Sequence, residues 1–308
     1  MVLPKRAWVF ALLTIVFWSS AYVGIRIGLT AFSAWHVVLL RFLTASVVLL
    51  AGVLASGGRI LPPRGAWWRV AAAGLTGFTI YHTALTLGER TVDANTASFI
   101  IASAPLFSTL LARLFLAERL SRWAWAGTGL SFLGVGVISG FGQGWHWNAL
   151  LIVLSAMSTA VFFVLERPLL DRYRALEVTS WVTWAGTLPM LLYAYHLPEA
   201  VARAPLYPLL WVLYIGVFPA ALAYVTWSLA LAAAPIGQVT PVLYLNPILA
   251  SLLGWTVLGE RPTWGLAVGG LLVLGGVYVI QVRGRPPAAT TALAMATQEG
   301  GWTEHADI

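Results

Sequence analysis

A chain of 308 residues in which 59% are apolar and only 9% are charged cannot be wetted on all sides, because a soluble domain averages about 25% charged side chains. Its mean hydropathy of +0.83 places it in a bilayer, and zero cysteines exclude disulfides, thiolate metal sites and cysteine nucleophiles. The formal charge of +7 would point to nucleic acid only if the basic residues formed a patch.

About 20 apolar residues cross the hydrocarbon core as a helix. Ten such segments and their connections use up the chain and leave no room for a second, soluble domain. Spans are predicted over 8–27, 33–56, 67–88, 93–116, 121–140, 146–166, 177–197, 206–232, 236–259 and 263–282. The two longest apolar runs are divided by turn-forming sequence, Gly140-Phe-Gly-Gln-Gly144 and Ala234-Pro-Ile-Gly-Gln238. Lys5-Arg6 opens a full span rather than a signal peptide, since no clear small-x-small cleavage site follows. Beyond Arg285 the composition turns to Pro286-Pro-Ala-Ala-Thr-Thr and then to polar residues, a tail over 286–308 expected to be disordered.

Orientation follows from the basic residues. With the N-terminus inside, 13 of the 18 Lys and Arg fall on the cytoplasmic side, Arg90, Arg203 and Arg261 fall outside, and Arg26 and Arg41 lie within or at the end of spans. Both termini are therefore expected in the cytoplasm. Basic residues spread over nearly every cytoplasmic segment are a topology signal, so no nucleic-acid partner is expected.

The two halves of the chain repeat one another. Ala104-Pro-Leu-Phe-Ser-Thr-Leu-Leu-Ala-Arg-Leu-Phe-Leu-Ala-Glu-Arg119 returns 142 residues later as Asn246-Pro-Ile-Leu-Ala-Ser-Leu-Leu-Gly-Trp-Thr-Val-Leu-Gly-Glu-Arg261, and Gly127 and Gly134 fall on Gly269 and Gly276. Tyr81 meets Tyr224 at an offset of 143. Five spans per half is an odd number, so the halves run through the bilayer in opposite senses. The fold class predicted is all-α integral membrane: ten transmembrane helices in two inverted five-helix repeats, 1–145 and 146–285. Inverted repeats are a recurrent transporter architecture, because two halves that exchange conformations open one central site to either side.

The sequence resembles the EamA type of the drug/metabolite transporter superfamily. The matching segments are Trp18-Ser-Ser, Arg41-Phe-Leu-Thr-Ala, Tyr81-His-Thr-Ala-Leu, Pro105 through Leu116-Ala-Glu-Arg-Leu, and Pro247 through Leu258-Gly-Glu-Arg, over about residues 7 to 282. The resemblance implies ten helices, export of small metabolites across a bacterial inner membrane, and a cavity lined by spans 1, 3, 4, 6, 8 and 9. Within the family the chain is most similar to exporters of aromatic and other neutral amino acids.

The candidate binding residues are the aromatic and neutral polar side chains inside those six spans: Trp18, Tyr22, Tyr81, His82, Ser98, Ser103, Phe163, Tyr224, Trp227, Tyr244 and Asn246. Such a lining suits a zwitterion with an apolar side chain. For each residue packing is the competing role. Trp8, Trp67, Trp68, Trp123, Trp125, Trp145, Trp147, Trp211 and Trp264 sit at span ends and read as interfacial anchors. All eleven acids lie outside the span centres, so no buried carboxylate is expected as a coupling site, and facilitated movement or weak proton linkage is favoured over obligate coupling. His82 reads as a hydrogen-bonded neutral residue ahead of a proton carrier. Arg41 reads as a peripheral structural cation ahead of an anchor for a substrate carboxylate, and Glu118-Arg119 and Glu260-Arg261 as pairs that fix hairpin geometry. Pro105 and Pro247, related by the repeat, are candidate hinges. No cofactor or metal is expected. The partners expected are a small-molecule substrate and lipid, with oligomeric state open, since Gly136-x-x-x-Gly140 and Gly265-x-x-x-Gly269 serve packing within or between chains equally. A membrane-embedded enzyme is the alternative class, and no motif for one is visible.

Overall fold

The computed structural model describes residues 4–104, 107, 121–138, 147–233, 239, 242–243 and 245–283. The described elements are all helical, without a strand among them. In chain order they are α1 (Lys5–Gly28), α2 (Ala34–Ala55), α3 (Arg64–Gly88), α4 (Ala94–Ile101), α5 (Arg122–Ile138), α6 (Trp147–Leu170), α7 (Ala175–Met190), α8 (Leu206–Ala233), α9 (Leu245–Leu258) and α10 (Trp264–Arg283). By length and apolarity α1, α2, α3, α6 and α8 are each able to cross a bilayer, and parts of α5, α9 and α10 are shorter apolar helices. The rim of the bundle leaves large apolar side chains such as Val47, Leu192 and Leu271 exposed. Such a surface is stable only against other apolar matter, here acyl chains.

Local chemistry fixes several helix starts. The Ser33 hydroxyl accepts from the His36 N–H at 3.2 Å and the Asp93 carboxylate from the Thr96 N–H at 2.6 Å, so each caps an otherwise bare turn. One predicted span ends early: the segment over 177–197 is α-helical only to Met190 and passes through a 3₁₀ turn, Leu191–Tyr193. His196 then takes a left-handed φ of 58° before a short connecting helix, Leu197–Arg203.

Directions follow from the contacts. Arg26 of α1 reaches the carbonyl of Glu89 just beyond α3, so α1 and α3 finish at the same end of the bundle. Asn148 at the start of α6 donates to Thr91 at 2.6 Å, and Gly28 abuts Val212 near the start of α8, so α6 and α8 begin at that end. The paired helices α3 and α8 therefore run in opposite directions.

Both α3 and α8 are interrupted by a π-helical segment, Leu75–Ile80 in the first and Phe218–Leu222 in the second. These begin 143 residues apart, the offset that relates Tyr81 to Tyr224. Pro219 lies in the second, while the first contains no proline. In α3, Gly77 lies hard against the Phe162 ring, and Thr79 donates to the Gly186 carbonyl at 2.7 Å. A π-turn widens the helix and frees backbone groups, and such turns concentrate at functional sites.

Helices α5 and α10 pack on glycine. A Cβ on Gly134 would stand 2.6 Å from the Gly269 carbonyl oxygen, and one on Gly276 would stand 2.5 Å from that of Gly127. The four glycines of the repeat therefore meet crosswise inside one chain, Gly134 against Gly269 and Gly127 against Gly276, and their small size is used there.

Candidate functional site

Helices α1, α2, α3 and α8 bring a buried polar cluster together. Arg41 of α2 points Nη1 at Nδ1 of His82 on α3, 3.3 Å away, and Nε2 of His82 is 3.0 Å from the Tyr224 hydroxyl on α8. A guanidinium only donates. His82 Nδ1 must therefore accept, leaving Nε2–H to donate to Tyr224. Tyr81 packs edge-on against His82 with ring centroids 4.3 Å apart, and the buried Tyr22 belongs to the same packed core as Tyr81. Tyr22 and Tyr81 lie within electrostatic reach of Arg41, Glu89 and each other.

Aromatic rings surround these groups. Trp18 meets Tyr224 edge-on at 5.2 Å and Trp227 at 5.4 Å, while its Nε1 donates to the Pro219 carbonyl at 3.2 Å within the π segment of α8. Phe78 stacks obliquely on Tyr224 at 4.8 Å, and Phe163 lies 5.8 Å from Trp227. Against α9, the Ser19 hydroxyl donates to Asn246 Oδ1 at 2.6 Å.

The sequence-selected residues thus separate into three groups. Trp18, Tyr22, Tyr81, His82 and Tyr224 converge on the cluster; Phe163, Trp227 and Asn246 flank it. Ser98 and Ser103 are buried elsewhere, their hydroxyls turned back on the carbonyls of Asn95 and Ile100. Tyr244 and Pro105 lie outside the described residues. Pro247 is the third residue of α9, where a missing N–H removes no intrahelical bond.

Three readings of charge are corrected. Arg41 does not snorkel to the periphery: it is 2% exposed, because α2 packs against α7 and α8 and its guanidinium turns inward to His82. Buried carboxylates do exist. Glu166 lies inside α6, 1% exposed, accepting from Ser228 at 3.3 Å, and Ser228 in turn shares a hydrogen bond with Thr179. Glu89, one residue beyond α3, is fully buried, and neither of its oxygens has a hydrogen-bond partner among the described residues. The third correction concerns Glu260. Rather than pairing with Arg261, it accepts from the Ala94 N–H at 3.0 Å and lies 3.4 Å from Arg26 Nε, so it ties α1 to the start of α4. Burial pushes the Glu89 carboxyl well above its ordinary value, with Arg26 and then Arg41 opposing. Burial and then the neighbouring Asp93 raise Glu260. An acid that follows an apolar run reads as a loop residue, and nothing in the sequence says that the loop folds inward.

Comparison with known proteins gives consistent results. The model of the EamA-like transporter family matches residues 5–140 and 146–282. A probable terminal-alkyne amino-acid exporter of Streptantibioticus cattleyicolor is 35% identical over 94% of this chain and 99% of its own length. YdfC of Bacillus subtilis, an uncharacterized transporter, is 33% identical over 86% and 87% of the two chains. An uncharacterized inner membrane transporter of Escherichia coli, YedA, is 31% identical over 51% of each. A solved crystal structure at 20% identity, covering 96% of this chain and 99% of its own, superposes with a TM-score of 0.63 and so shares the fold.

Proposed function

The chain belongs to the EamA-like transporter family, and from that premise we propose that this multi-pass membrane protein exports neutral amino acids, aromatic ones among them, across a bacterial inner membrane. The observation that carries the reading is the convergence of Tyr81 and Tyr224, equivalent positions of the two repeats, on one buried cluster with Trp18, Tyr22 and His82. Apolar rings with a few fixed hydrogen-bonding groups match the two parts of such a substrate. The amino-acid exporter among its relatives supports the same class.

In this reading ten helices form two inverted repeats with both termini in the cytoplasm, so Arg26 and Glu260 lie on the outer side. The opposed directions of α3 and α8 and the matched placing of their π segments support the inversion. Alternating access then works by bending one π segment while the other straightens. Purified protein in liposomes preloaded with unlabelled amino acid tests the proposal. Accelerated entry of labelled phenylalanine or leucine is expected, and preference for a sugar, a nucleoside or an organic cation overturns the substrate assignment.

A further inference from the structure

Two oppositely charged side chains are buried in this protein without pairing with each other. Arg41 is fully enclosed; its Nη1 faces His82, and its Nε has no hydrogen-bond partner among the described residues. Glu89 is fully enclosed with both carboxyl oxygens unpartnered among the described residues. The two lie within electrostatic reach of one another and share the same tyrosines, Tyr22 and Tyr81, yet no ion pair joins them. A buried charge of either sign is costly unless something of opposite sign completes it. Here both halves of the requirement are present, and each keeps a buried polar atom without a hydrogen-bond partner among the described residues.

We propose that Arg41 and Glu89 are the two poles of a zwitterion site, Arg41 receiving the α-carboxylate and Glu89 the α-ammonium of an amino acid. The proposal rests on the amino-acid transporter reading and adds the residues that recognise the two charged ends. A guanidinium offers a carboxylate parallel donors, and Nη1 already anchored on His82 leaves Nε to face the ligand. Trp18, Phe78 and Tyr224, packed on the same cluster, supply the apolar surface for the side chain. The charged groups facing Glu89 are Arg26 from α1, Arg41 from α2, Asp93 from the turn before α4 and Glu260 from the turn before α10. With burial the dominant influence, the Glu89 carboxyl of the empty site holds its proton well above the ordinary range, and an arriving ammonium favours its release. Binding therefore sheds a proton, and affinity falls as the pH is lowered, at most tenfold per unit.

The test compares inhibition of labelled phenylalanine counterflow in proteoliposomes by three compounds: phenylalanine, 3-phenylpropionate, which lacks the ammonium, and phenethylamine, which lacks the carboxylate. In the unaltered protein both single-charge compounds should bind at least tenfold more weakly than phenylalanine. Arg41→Gln should erase the advantage of phenylalanine over phenethylamine, Glu89→Gln its advantage over 3-phenylpropionate, and Glu89→Gln should also remove the pH dependence. Monodisperse elution and thermal unfolding establish that the variants fold, and Arg41→Lys, which keeps the charge, serves should Arg41→Gln fail. Counterflow of phenylalanine with equal inhibition by all three compounds, or variants that weaken all three alike, overturns the zwitterion site and leaves the transporter reading standing. Counterflow of a sugar or nucleoside but of no amino acid overturns the substrate reading and this site with it.

Discussion

The two ends of the bundle make the same contact in different surroundings. At one end Arg26 donates to the Glu89 carbonyl at 2.8 Å; at the other Arg167 donates to the Leu231 carbonyl at 3.1 Å. The arginines are 141 residues apart and the carbonyls 142, close to the 142 and 143 that separate the two halves. Their acids differ. Arg26 pairs with Glu260, which also holds the Ala94 N–H, so one cluster draws together α1, α3, α4 and the turn before α10, with side chains 31% and 13% exposed. Arg167 pairs with Asp171 one turn along its own helix, with side chains 40% and 57% exposed. The first arrangement ties elements together, whereas the second is a surface pair of the kind worth about 0–1 kcal/mol. The repeat equivalent of Glu260 is Glu118, which lies outside the described residues. Closure at the Arg26 end therefore rests on contacts between elements.

The comparison can be tested most strongly through Glu89, which has no acidic counterpart at the Arg167 end, where Leu231 stands. Its folded pKa lies above the ordinary carboxylate value, so the folded state holds the proton more tightly than the unfolded chain does. Stability from this group is present at low pH and lost as pH rises through the folded value. Each tenfold difference in proton affinity between the two states corresponds to about 1.4 kcal/mol. Glu89→Gln should therefore raise the unfolding midpoint in detergent at neutral pH, and the gain should vanish on acidification into the ordinary carboxylate range. A variant less stable than the parent at neutral pH would contradict this.

Arg26→Ala comes next. It leaves the Glu89 carbonyl and the Glu260 carboxylate without their cation, an expected loss of about 1–3 kcal/mol. Because the chain has no cysteine, a single one placed at Thr83 reports access cleanly, and it should label faster from the Arg26 side in this variant. Unchanged labelling would separate the cluster from gating.

Glu118→Ala asks whether the repeat carries the acid as well as the arginine. If Arg167 meets Glu118 as Arg26 meets Glu260, the loss should be about 1 kcal/mol, with labelling increased from the opposite side. The smallest effect is expected for Asp171→Ala, under about 0.5 kcal/mol and falling with added salt. Thermal unfolding of the pair of variants in low and high salt ranks them, and a larger effect at Asp171 would reverse the contrast between the ends.

Much of the fold was legible because bilayer thickness sets a length that the chain must meet with apolar residues. The helices α1, α2, α6 and α10 begin and end within a few residues of their predicted spans. The π segments were not legible, since Leu75–Ile80 carries no proline and reads as a continuation of its helix. Trp18, Tyr81, His82 and Tyr224, which meet in the buried cluster, were found through their polarity within otherwise apolar runs. Ser98 and Ser103 met the same criterion and are satisfied by their own helix, because a hydroxyl can bond backwards to a carbonyl three residues away.

The sequence by itself determined that the chain is helical and membrane-bound and that its halves repeat, because those properties follow from hydrophobic length and from identities at a constant offset. Only the tertiary structure decided which charges are buried. Arg41 has the sequence context of a snorkelling cation and Glu89 that of a loop acid, and neither context changes with the fold. Their enclosure depends on how α2 packs against α7 and α8, and on how the turn after α3 folds against α1. Desolvation is a property of everything around a group in space, so a one-dimensional pattern of neighbours does not contain it.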